Sequence, residues 1–204
     1  MTSPNAAPDG HPARERLTKQ QVSEDQHERL LRAMIATVAE TGYASTTVAA
    51  VIRRAGVSRA TFYQRFANRE ECFFAAFDYV GALTLTRLED AVEPAAGLDR
   101  LLEIYLDTII GDPATARVLL VEASALGAPG ILRRTENQRR FTDVVVAASG
   151  AVTENDRFAC EAFVVVVGAM VTARLANNDL RGVYALRAPL SELARRLTHG
   201  PAAG

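Results

Sequence analysis

Thr46-Thr47-Val48-Ala49-Ala50-Val51-Ile52-Arg53-Arg54-Ala55-Gly56-Val57-Ser58-Arg59-Ala60-Thr61-Phe62-Tyr63-Gln64-Arg65-Phe66 is the stretch on which the fold turns. A hydroxyl pair opens a run from Val48 to Arg54, Ala55-Gly56-Val57-Ser58 interrupts it, and a second run from Arg59 to Phe66 follows. Glycine accepts left-handed backbone at no steric cost and serine caps helix starts, so the spacing predicts two short helices joined by a tight turn, a helix-turn-helix. In the second helix Phe62 and Phe66 lie one turn apart and point inward, which leaves Arg59, Ala60, Tyr63 and Gln64 on the opposite face. Such a face fits a major groove. Arg59 has the geometry to donate twice to a guanine edge, Gln64 to pair with adenine, and Ala60 to approach a thymine methyl, while Thr61 and Tyr63 suit phosphate. Thr47 and Arg69, each at the start of a helix, place a hydroxyl and a guanidinium where phosphates dock. Thr46, Ser58 and Arg65 complete the candidate DNA-contacting set.

Charge supports this assignment once it is read locally. The 204 residues carry a net charge of -1, but Thr41 to Arg69 holds five arginines and no acid, leaving 18 basic against 24 acidic residues elsewhere. A basic patch on a nearly neutral chain is the footprint of a small DNA-reading module joined to a larger body.

Outward from the motif, apolar residues recur at helical spacing and no alternating stretch is bounded by hairpin turns, so the fold class is all-α with about nine helices. Ser23 and Gln26 suggest a capping box for a first helix at 23 to 41, with Leu30, Leu31, Met34, Ile35 and Val38 on one face and Gly42 as its stop. After the two short helices, Asn68 is placed to cap a helix with Glu71 at its third position, ending before Pro94. Breakers then divide helices at 97 to 110, 113 to 126, 129 to 149, 154 to 177 and 187 to 198. Pro4, Pro8 and Pro12 among polar residues mark residues 1 to 20 as a disordered tail without a signal peptide. The longest nearly apolar stretch, Phe158 to Ala173, falls short of the ~20 residues that cross a bilayer, so a soluble cytoplasmic chain without a membrane partner is expected. Cys72 and Cys160 lack metal or redox spacing and read as buried thiols.

At this point the chain resembles the TetR family of transcriptional regulators. Thr46-Thr47-Val48, Ala55-Gly56-Val57-Ser58, Thr61-Phe62-Tyr63 and Phe66-Ala67-Asn68-Arg69-Glu70 stand in that family's order and spacing, over about residues 23 to 80. The resemblance implies Thr47, Tyr63 and Arg69 on phosphates and Arg59, Ala60, Thr61 and Gln64 facing bases. It further implies a DNA-binding domain at 21 to 80, and a ligand-binding and dimerisation domain at 81 to 204. Double-stranded operator DNA, a second copy of the chain and a small apolar effector are the implied partners. Ala49, Ala50 and Ile52 depart from the family's usual residues, so the first helix of the motif is expected to make few DNA contacts.

Beyond residue 80 the sequence is less specific. The helix at 154 to 177 is apolar nearly all round, and 187 to 198 shows Leu190, Leu193 and Leu197 at helical spacing, so the two suit a dimer interface through Phe163, Val167, Met170, Leu190, Leu193 and Leu197. Burial in the monomer core is the alternative. Phe77, Tyr105, Ile109, Leu119, Glu122, Phe141 and Phe163 are candidate ligand contacts, each with core packing as the rival role. The three histidines, His11, His27 and His199, stand in no nucleophile or zinc pattern, and no glycine-rich phosphate loop is present, so no catalytic residue, metal or cofactor is expected. A helical interaction module, or a small-molecule-binding protein without regulatory DNA binding, remains the alternative to a ligand-responsive repressor on a palindromic operator.

Overall fold

The computed structural model describes residues 19–91 and 97–199, and every secondary-structure element among them is a helix. The order is α1 (Lys19–Thr41), α2 (Val48–Ala55), α3 (Arg59–Arg65), α4 (Arg69–Ala91), α5 (Gly97–Gly111), α6 (Pro113–Leu120), a 3-10 helix (Glu122–Leu126), α7 (Ala128–Ser149), α8 (Glu154–Ala176), α9 (Leu180–Ala185) and α10 (Arg187–His199). The nine helices expected from the sequence are all here, with three adjustments. Leu180–Ala185 is an added short helix, capped by the Asp179 carboxylate on the Gly182 N–H at 2.8 Å. With Val183 its sole buried residue, it has no apolar stripe to announce it. The segment 113 to 126 is an α-helix followed by a 3-10 turn instead of one helix. Helix α1 begins four residues before the anticipated capping box, so Ser23 lies inside it. There Ser23 is not a cap: its backbone carbonyl and hydroxyl accept hydrogen bonds from Arg65 of α3. The expected disordered tail lies, through residue 18, outside the described residues.

Two apolar cores organise the molecule. The first gathers Leu30, Met34 and Val38 of α1, Val51 of α2, Phe62 of α3, and Phe73 and Phe77 of α4. Val118, Leu119 and Ala123, which come from well beyond residue 80, are members of this core too. The second joins Leu88 at the far end of α4 to Leu102 and Leu106 of α5, Phe163, Val167 and Val171 of α8, Leu186 just before α10, and Leu190 in its first turn. Helix α4 therefore runs from one core to the other, and α6 touches both.

Helix α8 has 23 residues and, by length and composition alone, is apolar enough to cross a membrane, a longer run than the 158 to 173 stretch suggested. Its inward face, Cys160, Phe163, Val167, Val171 and Leu175, is packed into the second core. Phe163, Val167 and Leu190 are consequently monomer core, not interface: each is buried against the chain's own helices. Met170 and Leu193 are half-buried against the same core, and Leu197 alone of the expected set is exposed. Because apolar residues occur all round α8, its periodicity does not say which face turns inward.

Gly130 marks the closest approach of α7 to the 3-10 turn, since a Cβ there would overlap the backbone carbonyl of Ala123. Gly111 has open space around the same position. Gly130→Ala is expected to lower the thermal midpoint by several degrees, while Gly111→Ala leaves it unchanged or slightly raised; differential scanning fluorimetry of the pair distinguishes overlap from ordinary helix propensity.

Candidate nucleic-acid interface and interior cavity

The helix-turn-helix is set by two caps. The Thr47 hydroxyl accepts from the Ala50 N–H at 3.2 Å and opens α2, and the Ser58 hydroxyl accepts from the Thr61 N–H at 3.0 Å and opens α3. Between them Gly56 adopts φ 64° and ψ 38°, and its N–H closes on the Ile52 carbonyl. A residue with a Cβ is strained in that left-handed conformation, so the glycine fixes the angle between the helices. Phe62 is fully buried and Phe66 nearly so, which turns Arg59, Ala60, Tyr63 and Gln64 to the outside. Arg59 lies over the Tyr63 ring, its Cζ 5.4 Å from the centroid, and Tyr63 is 46% exposed.

The other members of the expected DNA-contacting set divide by environment. Thr61 is half-buried, with its hydroxyl 2.9 Å from that of Ser58. Thr46 is 0% exposed: its hydroxyl donates to the Gly42 carbonyl at 2.9 Å and holds the loop before α2, so it is a structural residue and does not reach a phosphate. Arg65 turns back on Ser23 and ties α3 to α1. Arg69 is drawn inward as well, its guanidinium 4.3 Å above the Tyr43 ring and donating to the Thr46 carbonyl. Arg54 is paired with Glu40 at 2.6 Å. Of the five arginines in the basic segment, Arg53 and Arg59 remain exposed without a carboxylate or carbonyl partner among the described residues. Arg53 was not singled out from the sequence because α2 was expected to contribute little.

Glu122 connects this head to the rest of the chain. Its carboxylate accepts the Tyr43 backbone N–H at 2.9 Å, lies against Gly42, and stands 3.8 Å from Arg117. It therefore braces the α1–α2 loop and is not a cavity residue, contrary to the expectation of a ligand contact. Phe77, also expected there, is buried in the first core beside Phe73.

A cavity of about 600 Å³ opens between α1, α4, α5, α6, α7 and α8. Tyr105, Ile109, Leu119, Phe141 and Phe163 line it, with Tyr105 and Phe141 in edge contact at 6.0 Å. The sequence did not point to Arg32, Arg87 and Arg134, which also line it. They fall on helices whose exposed faces carry many charges, and no pattern separates a cavity-facing arginine from a solvated one. Burial pushes the Tyr105 phenol up to about 12, with the charge of Arg134 opposing the rise. Burial likewise pushes Cys72 up to about 12, as expected of an inert buried thiol. Among the described residues no group of three or more His, Cys, Asp or Glu side chains is placed to hold a metal ion.

Comparison with known proteins agrees with this geometry. The profile of the family described as bacterial regulatory proteins, tetR family, matches residues 30–76, from mid-α1 through the helix-turn-helix into α4. A regulator of Bacillus subtilis strain 168, the HTH-type transcriptional regulator YerO, is 26% identical over 73 residues, which are 36% of this chain and 25% of that protein. The match thus spans about a quarter of that relative's length. Among solved structures, a TetR transcription regulator from Haloarcula marismortui superposes with a TM-score of 0.73 at 21% identity, covering 84% of this chain and 97% of the other. FadR from Bacillus subtilis, solved in complex with stearoyl-CoA, gives 0.67 at 19% identity, covering 86% of this chain and all of that one at 100%. Residues 30–76, with the capped helix-turn-helix, thus match the DNA-binding segment of the tetR family of bacterial regulatory proteins, and the helical fold around that segment is like that of solved TetR regulators.

Proposed function

We propose that the protein is a dimeric, cytoplasmic transcriptional repressor that reads a palindromic operator with α3 and is released by a small apolar ligand held in its interior cavity. Residues 21 to 80 form the DNA-binding domain in this reading, and residues 81 to 204 bind ligand and dimerise. The observation that carries DNA binding is the outward face of α3: Arg59, Ala60, Tyr63 and Gln64 stand exposed on a helix whose orientation is fixed by Gly56 and the Ser58 cap. Arg59 and Gln64 read base edges, Thr47 and Tyr63 hold phosphates, and Arg53 is added to the phosphate contacts. Selection from random double-stranded DNA, followed by binding at two salt concentrations, tests the reading; uniform weak binding to all sequences would overturn it.

Dimerisation is assigned to the face of α8 opposite the one buried in the monomer. Phe158 is 71% exposed, and Ala162, Val165, Val166, Ala169 and Ala173 follow it at helical spacing, all of them exposed. Small and apolar side chains in that register allow two helices to approach closely. A second reading head positioned this way meets the next half-site one turn, roughly 34 to 36 Å, along the duplex.

The ligand is assigned to the cavity because its walls are mostly aliphatic and aromatic, as small-molecule sites are, and its volume of about 600 Å³ suits a drug-sized molecule. The complex of the neighbouring FadR with stearoyl-CoA supports ligand control on this fold. Release follows from linkage: a ligand that prefers a cavity shape incompatible with operator spacing weakens DNA binding, and the operator weakens the ligand by the same factor, typically about 1 to 3 kcal/mol.

Two results are expected. Arg59→Ala costs about 1 to 3 kcal/mol on the operator and relaxes preference at one position per half-site without moving the thermal midpoint, whereas Arg69→Ala lowers the midpoint because Tyr43 and Thr46 lose their partner. Ala169→Glu buries a charge at the dimer face, so sedimentation should change from twice 22.0 kDa to one copy, with operator affinity falling in parallel.

A further inference from the structure

On the reading that the interior cavity is an effector site, we infer that its ligand is an anionic amphiphile, an apolar body ending in a carboxylate held by the Arg134 guanidinium and the Tyr105 hydroxyl. The cavity's ionisable lining is unbalanced: Arg32, Arg87 and Arg134 face a single acid, Asp112. Asp112 is engaged in capping α6 through the Thr115 N–H at 3.1 Å, and Arg32 is paired with Glu28 at 2.6 Å. Arg134 differs from both. It is half-buried on α7, and its donors reach two neutral acceptors, the Leu120 carbonyl and the Thr172 hydroxyl, each at 2.9 Å. No carboxylate among the described residues forms an ion pair with it. A cation withdrawn from water beside aliphatic walls with only neutral partners is costly, and an anion entering the cavity removes that cost.

Tyr105 supplies the second contact. Its ring is fixed against Phe141, yet its hydroxyl has no hydrogen-bond partner among the described residues. A phenol held at about 12 by burial stays protonated at neutral pH and donates its proton to an acceptor. Arg134 and Tyr105 line the same cavity, and the Arg134 charge opposes the rise that burial imposes on the Tyr105 phenol. Asn137 and Gln138 line the same cavity from α7 and add uncharged donors beside Arg134, while Leu102, Val145 and Phe163 contribute apolar wall. An amine would meet the Arg134 charge as a repulsion. A neutral alcohol would leave it uncompensated.

The test titrates the full-length protein by calorimetry with decanoate, decanol and decylamine, all below their micellar concentrations, so that body length is constant and only the head changes. Decanoate is expected to bind at least about ten-fold more tightly than decanol, as a hydrogen-bonded charged pair warrants, with decylamine weakest. Tyr105→Phe keeps the ring on Phe141 and should remove several-fold of the decanoate advantage while decanol affinity stays within about two-fold. Arg134→Gln should remove most of what remains. If decanol binds as well as decanoate, the anionic assignment falls and the effector cavity stands. If decanoate is preferred but neither variant changes the preference, Arg134 and Tyr105 are not its partners. If none of the three compounds binds, both the assignment and the cavity reading fall. Should Arg134→Gln not fold, Tyr105→Phe decides alone.

Discussion

The contact that ties the helix-turn-helix to the rest of the chain is a partly buried one, the Glu122 carboxylate accepting the Tyr43 N–H. That N–H sits in the loop between α1 and α2, where no helical carbonyl reaches it, and a buried backbone donor must find an acceptor. The acceptor comes from 79 residues further along, on the 3-10 turn after α6. Gly42 takes the loop's φ of 76°, which suits glycine, and the Glu122 carboxylate lies beside it. Tyr43 in turn supports Arg69, Arg69 holds the Thr46 carbonyl, and the Thr46 hydroxyl returns to Gly42. The start of α2 is thereby held by a residue from the 3-10 turn after α6. On its other side Glu122 faces Arg117, which binds the Leu175 carbonyl and the Asn178 side chain at the end of α8. A polar path thus runs from the helix-turn-helix to the C-terminus of the helix proposed to dimerise.

Much of the fold was legible because it is written in local rules. Ser58, Thr47 and Asn68 each cap the helix that follows, and Gly56 takes the left-handed turn its position demands. Leu30, Leu31, Met34, Ile35 and Val38 are all buried, as one face of an amphipathic helix must be. Ser23 shows where the same rule misleads. A serine three residues before a glutamine resembles a cap, but the helix continues upstream through Lys19 and the hydroxyl serves Arg65 instead. Nothing within four residues of Ser23 encodes a partner 42 positions away.

The site was legible in outline and not in its charges. Five arginines without an acid within 29 residues suggest a uniform basic patch, yet the segment's acids were only displaced, not absent: Glu40, one residue upstream of it, neutralises Arg54. Arg65 and Arg69 fold inward onto Ser23, Tyr43 and Thr46 because their long stems pack while their heads find carbonyls. Sequence counts charges, but tertiary contacts decide which of them a phosphate would meet. The same limit explains α8, where apolar residues on every side conceal that Phe163 and Val167 face the monomer and Ala162 and Val165 face outward. It also explains Glu122, a carboxylate in an apolar run that looked like a ligand contact and is a brace.

The placement of the cavity completes the argument for coupling. Its walls are drawn from α1, α4 and α6, through Ile35 and Ala39, Val80 and Thr84, and Ala116 and Leu119. Leu119 belongs at once to the cavity and to the core of the reading head, and three residues on from it stands Glu122. Arg134, also in the wall, holds the Leu120 carbonyl between them. A close-packed interior does not deform continuously, so a ligand that displaces Leu119 or recruits Arg134 must either be accommodated by α6 or be excluded. If α6 moves, the Glu122 to Tyr43 contact moves with it, and the Tyr43 N–H loses the side-chain acceptor that ties this loop to the 3-10 turn. On the proposed ligand control, differential affinity for two arrangements of α6, and not distance from the operator, would determine how strongly a ligand acts on DNA binding.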